Sequence, residues 1–452
     1  MDPIINRRVF FKIAATGVAG YFVSPMEAFS QTSATWSQNA TILNTAKNVI
    51  FVLLNGAPSQ FDTFDLHVGS WTPVNFAPTT INGADWPSGL LPTLGDQLSQ
   101  GRLSVIRSCQ SAALVHSLLQ TWNQIARSPT SSTGKIAPNM GSIVAYEFES
   151  QRTASQKLPG FLALNGGGAL MGAGYFSGKF SPFDVAPNAN GLTGLTNPDG
   201  EAPFTARYNL LQTADVSLRA TGSPFGTKFE EMADFYSSAR RIMYDATVNN
   251  AFRFTATDQT RYGNNAFGNA CVTARNVLMS NLGVRYIQIN LGGWDNHTNI
   301  YAANGGIYGP ARSLDLGLGN LIADLAATPG GPGKTMLDDT LIIAKGEFGR
   351  TVGNITAGLG RDHYFVHSTL IAGGGVQGGR ILGKTTASGA AVEDPGWSAG
   401  RPVYSEDIAA TLYSAAGINY TKTLYNDPLG RGFEYIPSTG SYIGQPIVEL
   451  FT

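Results

Sequence analysis

Apolar runs and amphipathic stretches alternate along this chain. Residues 47–54 (KNVIFVLL) are apolar and β-branched after a polar start, which predicts a strand buried on both faces. Residues 340–344 are apolar almost without a break and predict a second one, and 368–372 return to strand character. Residues 285–291 (RYIQINL) alternate their faces, and shorter strands are expected at 103–106 and near 160–164. Between these runs the period changes to helical. Residues 116–126 (HSLLQTWNQIA) put Leu118, Leu119 and Trp122 on one side, with Ser117 as a candidate cap. Further helices are expected at 206–220, 228–246, 265–281, 311–327 and 405–416, the last capped by Ser405. Strands alternating with helices predict an α/β fold, with a large, mostly parallel central sheet and helices on both faces. Residues 128–225 are rich in Gly, Pro, Asn and Ser and read as long loops and short elements over the sheet edge, an insert that shapes whatever pocket exists.

Composition narrows the function classes. The formal charge is −1 with 13% charged residues, and no basic stripe is present, so nucleic acid is not an expected partner. The 54 glycines and 23 prolines are neither periodic nor confined to one block, which implies many structured loops. Cys109 and Cys271 fit no zinc ribbon or redox pair; one disulfide and two buried free thiols both remain open. There is no internal repeat, phosphate-binding loop or dinucleotide fingerprint. Residues 1–30 read as an export signal that resembles the twin-arginine pattern: Arg7-Arg8 precede an apolar pair and Lys12, then a mildly hydrophobic stretch and small residues at 28–30. Residues 31–452 are expected to form one domain. The export signal predicts a periplasmic or extracellular protein, and the mature chain shows no apolar run long enough to span a membrane.

Three strand ends carry polar clusters: 55–65, 295–297 and 347–367. Open α/β sheets place ligands at the carboxyl ends of their strands. In extended backbone, residues two apart point the same way, so Asp295 and His297 can face one metal ion. His363, with Asp362, completes an Asp/His/His set that leaves a position for water or substrate. Glu347 is placed to support a second ion or a proton transfer, and Arg350 to clamp an oxyanion bidentately. Plainer readings stand beside these. The Trp-Asp-x-His turn can be a hydrogen-bonded corner, Glu347 and Arg350 a buried ion pair, and His367 a core histidine.

At these residues the chain resembles the exported domain-of-unknown-function family 1501, a branch of the alkaline phosphatase and sulfatase superfamily. The resemblance spans about residues 45–435. It rests on residues 55–65 (NGAPSQFDTFD), 292–297 (GGWDNH), 347–351 (EFGRT) and 360–363 (GRDH) with 373–376 (GGGV). It implies an alkaline phosphatase-like three-layer sandwich with two metals at strand carboxyl ends. Asp295, His297 and His363 would form one site. Asn55 and Glu347 would fall at the second, and Asp62 or Asp65 would stand in for Asn55, which occupies an aspartate position. Phe348 replaces a histidine and cannot bind a metal. The nucleophile region falls near His116 and Ser117. The implied function is an exported hydrolase of phosphate or sulfate esters, small or polymeric, using one or two divalent ions (zinc, manganese or calcium). Ser117, with His116 beside it, would be the nucleophile unless metal-bound water attacks directly, and Arg350 would hold the oxyanion. The alternative, motivated by Asn55 and Phe348, is a non-catalytic envelope or extracellular scaffold that keeps the fold and binds another exported protein.

Overall fold

Asn48–Leu54 (β1) shows why the chain folds as a layered sheet: Ile50, Val52 and Leu54 join one hydrophobic core, and the alternating Val49, Phe51 and Leu53 join another. A strand apolar at every position must be covered on both faces. At about 1.5–3 kcal/mol per fully buried aliphatic or aromatic side chain, these six residues favour the central position before chain entropy is counted. The computed structural model describes residues 34–220, 227–303, 305–438 and 443–452; the export signal expected at 1–30 lies outside them.

The other strands of the main sheet are Leu103–Gln110 (β2), Phe161–Leu164 (β3), Phe183–Val185 (β4), Tyr286–Leu291 (β5), Thr340–Gly346 (β6), Val366–Ala372 (β7) and Ile381–Leu382 (β8). Their order is β8-β2-β7-β6-β1-β5-β3-β4. All pairings are parallel except those of β7, which runs against both β2 and β6. One core holds residues of helices Pro92–Ser99 (α1), Ala266–Ser280 (α4) and Tyr308–Ala327 (α5); the other holds residues of Met140–Phe148 (α3) and Ser405–Ala415 (α6). The α/β class and the large, mostly parallel sheet between helices are therefore as the sequence indicates.

Several local expectations are corrected. The strand expected at 103–106 continues to Gln110, and the one expected at 368–372 begins at Val366, which puts His367 inside the sheet, buried and opposite Cys109. Within 128–225 the strand expected near 160–164 and the helix expected at 206–220 are present as β3 and Glu201–Ala220, and α3 and the sheet strand β4 add to them. Ser117 and Ser405 cap nothing. The caps are Val115 and Tyr404, and the Asp407 carboxylate accepts the Tyr404 N–H at 2.9 Å. Cys109 and Cys271 are buried free thiols in the two different cores, on opposite faces of the sheet. Among the described residues no helix is long and apolar enough to cross a membrane.

Candidate metal centre

The carboxyl ends of β1, β5 and β6 are level, with Leu54 beside both Leu291 and Gly346. Because β7 is antiparallel, its amino end meets them there. The loops leaving β1, β2, β5 and β6 and the loop entering β7 thus converge on one edge. Two devices fix them. Gly349–Arg350 pairs antiparallel with His363–Tyr364, which sets His363 opposite Arg350. The Arg361 N–H donates to the Asn296 carbonyl (3.0 Å) and the Ile300 N–H to the Leu359 carbonyl (2.8 Å), zipping the loop before β7 onto the loop after β5. Two glycines are required for the fit. A Cβ on Gly56, whose φ is +99°, would stand 2.7 Å from the Asp295 nitrogen. One on Gly360 would stand 2.0 Å from the His297 carbonyl.

His116, Asp295, His297 and His363 come together so that one ligand atom from each lies within 4.8 Å of every other. His363 Nε2 is 3.0 Å from His116 Nε2 and 3.1 Å from His297 Nε2. Asp295 Oδ1 lies 3.3 Å from His116 Nε2, 2.9 Å from His297 Nε2 and 3.9 Å from His363 Nε2. The opposite nitrogen of each imidazole has its own acceptor. His116 Nδ1 meets the Glu347 carboxylate, His297 Nδ1 meets Asp362 Oδ1 at 2.8 Å, and His363 Nδ1 meets the Leu114 carbonyl at 2.9 Å. These partners accept hydrogen bonds, so each Nδ1 carries the proton and each Nε2 turns a lone pair inward. Three lone pairs and a carboxylate oxygen converging at about 3 Å repel one another unless a cation sits among them. An outer acceptor on each ligand imidazole is also the usual surrounding of a metal centre. A tetrahedral ion with bonds of about 2.0–2.1 Å spaces its ligand atoms about 3.3 Å apart, which matches the distances seen. The donor set fits a divalent ion.

Charges around the cluster agree. Partial burial opposes the Asp295 charge, but Arg350, with His116 and His297, holds its carboxyl below the usual range. The hydrogen bond to Glu347 raises the His116 pKa against partial burial, whereas burial lowers that of His363. Asp295 and His297 keep 48% and 43% of their side-chain surface exposed, so the cluster opens to solvent on one side.

The remaining expected site residues are placed differently. Arg350 is buried and saturated. Its Nε donates to the Ala57 carbonyl, one terminal nitrogen to the Arg361 carbonyl, and the other to the Gly56 carbonyl and to Asp295 Oδ1 at 2.6 Å. It has no fork left for a substrate oxyanion, and its ion pair is with Asp295 rather than Glu347. Glu347 and Asp362 stand behind His116 and His297, outside the cluster of four. Asp62 is drawn away into a buried pair with Arg361, with Ser59 and Tyr301 hydroxyls on the same carboxylate. The Asn55 Oδ1 is buried with no hydrogen-bond partner among the described residues. Ser117 is exposed at the second residue of helix His116–Ile125 (α2), and among the described residues no hydrogen bond ties its hydroxyl to a base. The residue whose role the sequence hid is His116: its signal is an imidazole at the first turn of a helix entered directly from a sheet strand. Gln60 was not foreseen at all; its side-chain amide brackets the Arg350 backbone, donating to the carbonyl and accepting from the N–H.

Fold and site together define an α/β protein with a three-histidine, one-aspartate cluster at the carboxyl edge of a mostly parallel sheet. The chain belongs to the family described as "Protein of unknown function (DUF1501)", which it matches over residues 46–441. No curated protein matches it. Solved structures similar to it include the lipoteichoic acid synthase LtaP from Listeria monocytogenes, with 12% identity, TM-score 0.37, and coverage of 85% of this chain and 76% of that one. A protein in the alkaline phosphatase superfamily from Vibrio parahaemolyticus shows 11% identity, TM-score 0.37 and coverage of 95% and 78%. The phosphonate monoester hydrolase SpPMH from Silicibacter pomeroyi shows 13% identity, TM-score 0.35 and coverage of 82% and 73%.

Proposed function

We propose that the protein is an exported hydrolase of phosphate or sulfate esters that works with a divalent ion held by His116, Asp295, His297 and His363. The observation that carries this reading is the inward convergence of three Nε2 atoms and Asp295 Oδ1, each imidazole pinned from behind. Three imidazoles and one carboxylate suit zinc or manganese. They do not suit calcium, which takes six to eight oxygens. When bound, such an ion supplies Lewis-acid polarisation of an ester oxygen and activation of water. The chain's own residues supply the rest. Glu347, Asp362 and the Leu114 carbonyl orient the imidazoles. Arg350 fixes Asp295 and balances its charge without touching substrate. The exposed flank of Asp295 and His297 leaves the approach open to an ester, small or polymeric. The twin-arginine pattern at Arg7-Arg8 supports export to the periplasm or beyond.

The test is metal content and ester turnover in wild type, His297→Ala and His363→Ala. Wild type is expected to bind zinc or manganese and to hydrolyse a phosphate or sulfate ester. Each variant should lose both, and a variant that keeps full metal affinity would refute the site. One observation favours a second reading, the non-catalytic scaffold. Four protein ligands complete a tetrahedron, as in structural sites, and neither Ser117 nor Arg350 is arranged for chemistry. That reading predicts metal-dependent melting with no turnover of any ester tried.

A further inference from the structure

Glu347 is fully buried, and its carboxylate is already occupied. Oε1 accepts from the Gly56 N–H and from Gln120 Nε2, both at 2.9 Å, while Oε2 meets His116 Nδ1. The next residue, Phe348, is also fully buried. Its ring lies 4.7 Å from that of His116 and 4.4 Å from that of His363, centroid to centroid. An apolar ring therefore fills the flank of the cluster against both imidazoles. The other oxygen donors nearby do not make a second site. Asp62 is consumed by Arg361, Tyr301 and Ser59, and Asn55 offers one neutral amide oxygen. Among the described residues, His116, Asp295, His297 and His363 are the one gathered set of ionisable ligands, and no second set of three stands beside it.

We infer that the centre is mononuclear, and that Glu347 is a positioning residue that fixes His116 as the fourth ligand. The inference rests on the metal reading above and sharpens it. With Nδ1–H donated to a buried carboxylate, His116 presents Nε2 as a lone pair toward Asp295 and His363. It then acts as neither a nucleophile nor a proton shuttle for Ser117. A carboxylate behind a ligand imidazole sets its orientation and raises its basicity, and removing such a partner weakens metal binding about 10–100-fold.

The experiment is stoichiometry and affinity, independent of any substrate. The full chain is stripped with chelator, dialysed, reloaded with zinc and separately with manganese, and assayed by elemental analysis and competitive titration. Wild type, Glu347→Gln, Gln120→Ala and His116→Ala are compared. Circular dichroism of each metal-free variant reports folding, and the Gln120→Ala change keeps the Glu347 charge should Glu347→Gln fail to fold. One ion per chain is expected in wild type. Glu347→Gln should keep that ceiling with affinity lowered 10–100-fold, and the visible spectrum of the cobalt-loaded protein should shift. Gln120→Ala should bind less tightly than wild type at the same ceiling. Two ions in wild type and one in Glu347→Gln would overturn the inference and leave the metal reading standing. No ion under saturating supply would remove both.

Discussion

Replacing Arg361 by Met is expected to lower the melting temperature by about 4–6 °C and to loosen the metal centre in the same step. The Arg361 side chain is fully buried. Its Nε donates to Asp62 Oδ2 at 2.6 Å, and its terminal nitrogens reach Asp62 Oδ1, the Tyr301 hydroxyl and the carbonyls of Thr351 and Gly353. Met fills the space and supplies none of these donors. Asp62 keeps two hydroxyl donors and loses its counter-charge in a dry site. Removing one partner of a buried pair costs about 3–5 kcal/mol, because the other charge is left uncompensated. An unfolding entropy of about 2.1 cal/mol/K per residue over about 400 residues comes to about 0.8 kcal/mol/K, which converts that cost into about 4–6 °C. The consequence reaches the site through the chain. The Arg361 carbonyl receives Arg350, and Asp362 and His363 follow directly. Scanning calorimetry and zinc titration of Arg361→Met, Asp62→Asn and the double variant separate the contributions. The double variant should recover about 1–3 kcal/mol relative to the sum of the single changes, since the stranded charge is gone. A melting temperature for Arg361→Met within 1 °C of wild type would show that this pair does not hold the loop.

Other consequences are equally direct. Gly360→Ala should weaken metal binding at least as much as it lowers stability, because the new methyl must displace the His297 backbone; isothermal titration beside a melting curve checks it. Burial holds the Lys345 ammonium down to about 8 from its usual 10.5, against the pull of Cys109, Glu406 and Glu347. Between pH 8 and 10.5 the unfolded chain keeps a proton that the folded chain has released, so stability contributed by this group rises with pH there and is lowest below pH 8. Lys345→Met should therefore melt above wild type at pH 7, with the difference shrinking toward pH 10.5; a constant difference across that range would contradict the assignment. Cys109 and Cys271 should resist alkylation in the native protein and titrate as two thiols after denaturation, with no change in gel mobility on reduction.

What could be read from the sequence follows from how local each signal is. β1 and β6 declare themselves as nearly unbroken buried apolar runs, and α5 because every third and fourth residue is buried; a neighbour's side chain cannot hide such patterns. The pairing of Asp295 with His297 is local for the same reason. The direction of β7 is not. Val366–Ala372 (VHSTLIA) is buried at all seven positions, so its pattern reads identically in a parallel or an antiparallel strand. The link at 347–365 is longer than the dozen or so residues that a parallel crossover needs, so length does not decide either. Yet direction decides the site. An antiparallel β7 lets the link stay at one edge and deliver Asp362 and His363 beside Asp295; a parallel one would carry them to the far edge of the sheet. The roles of Arg350 and His116 depend on that same long-range closure. Once the loop before β7 lies over the β1 end, the carbonyls of Gly56, Ala57 and Arg361 take the guanidinium that the motif alone offers to a substrate. Glu347, reached from the other side by His116, turns from a candidate ligand into the group that aims one. Residue types at a sheet edge announce candidate ligands; which of them turn inward together is settled by who else needs their hydrogen bonds.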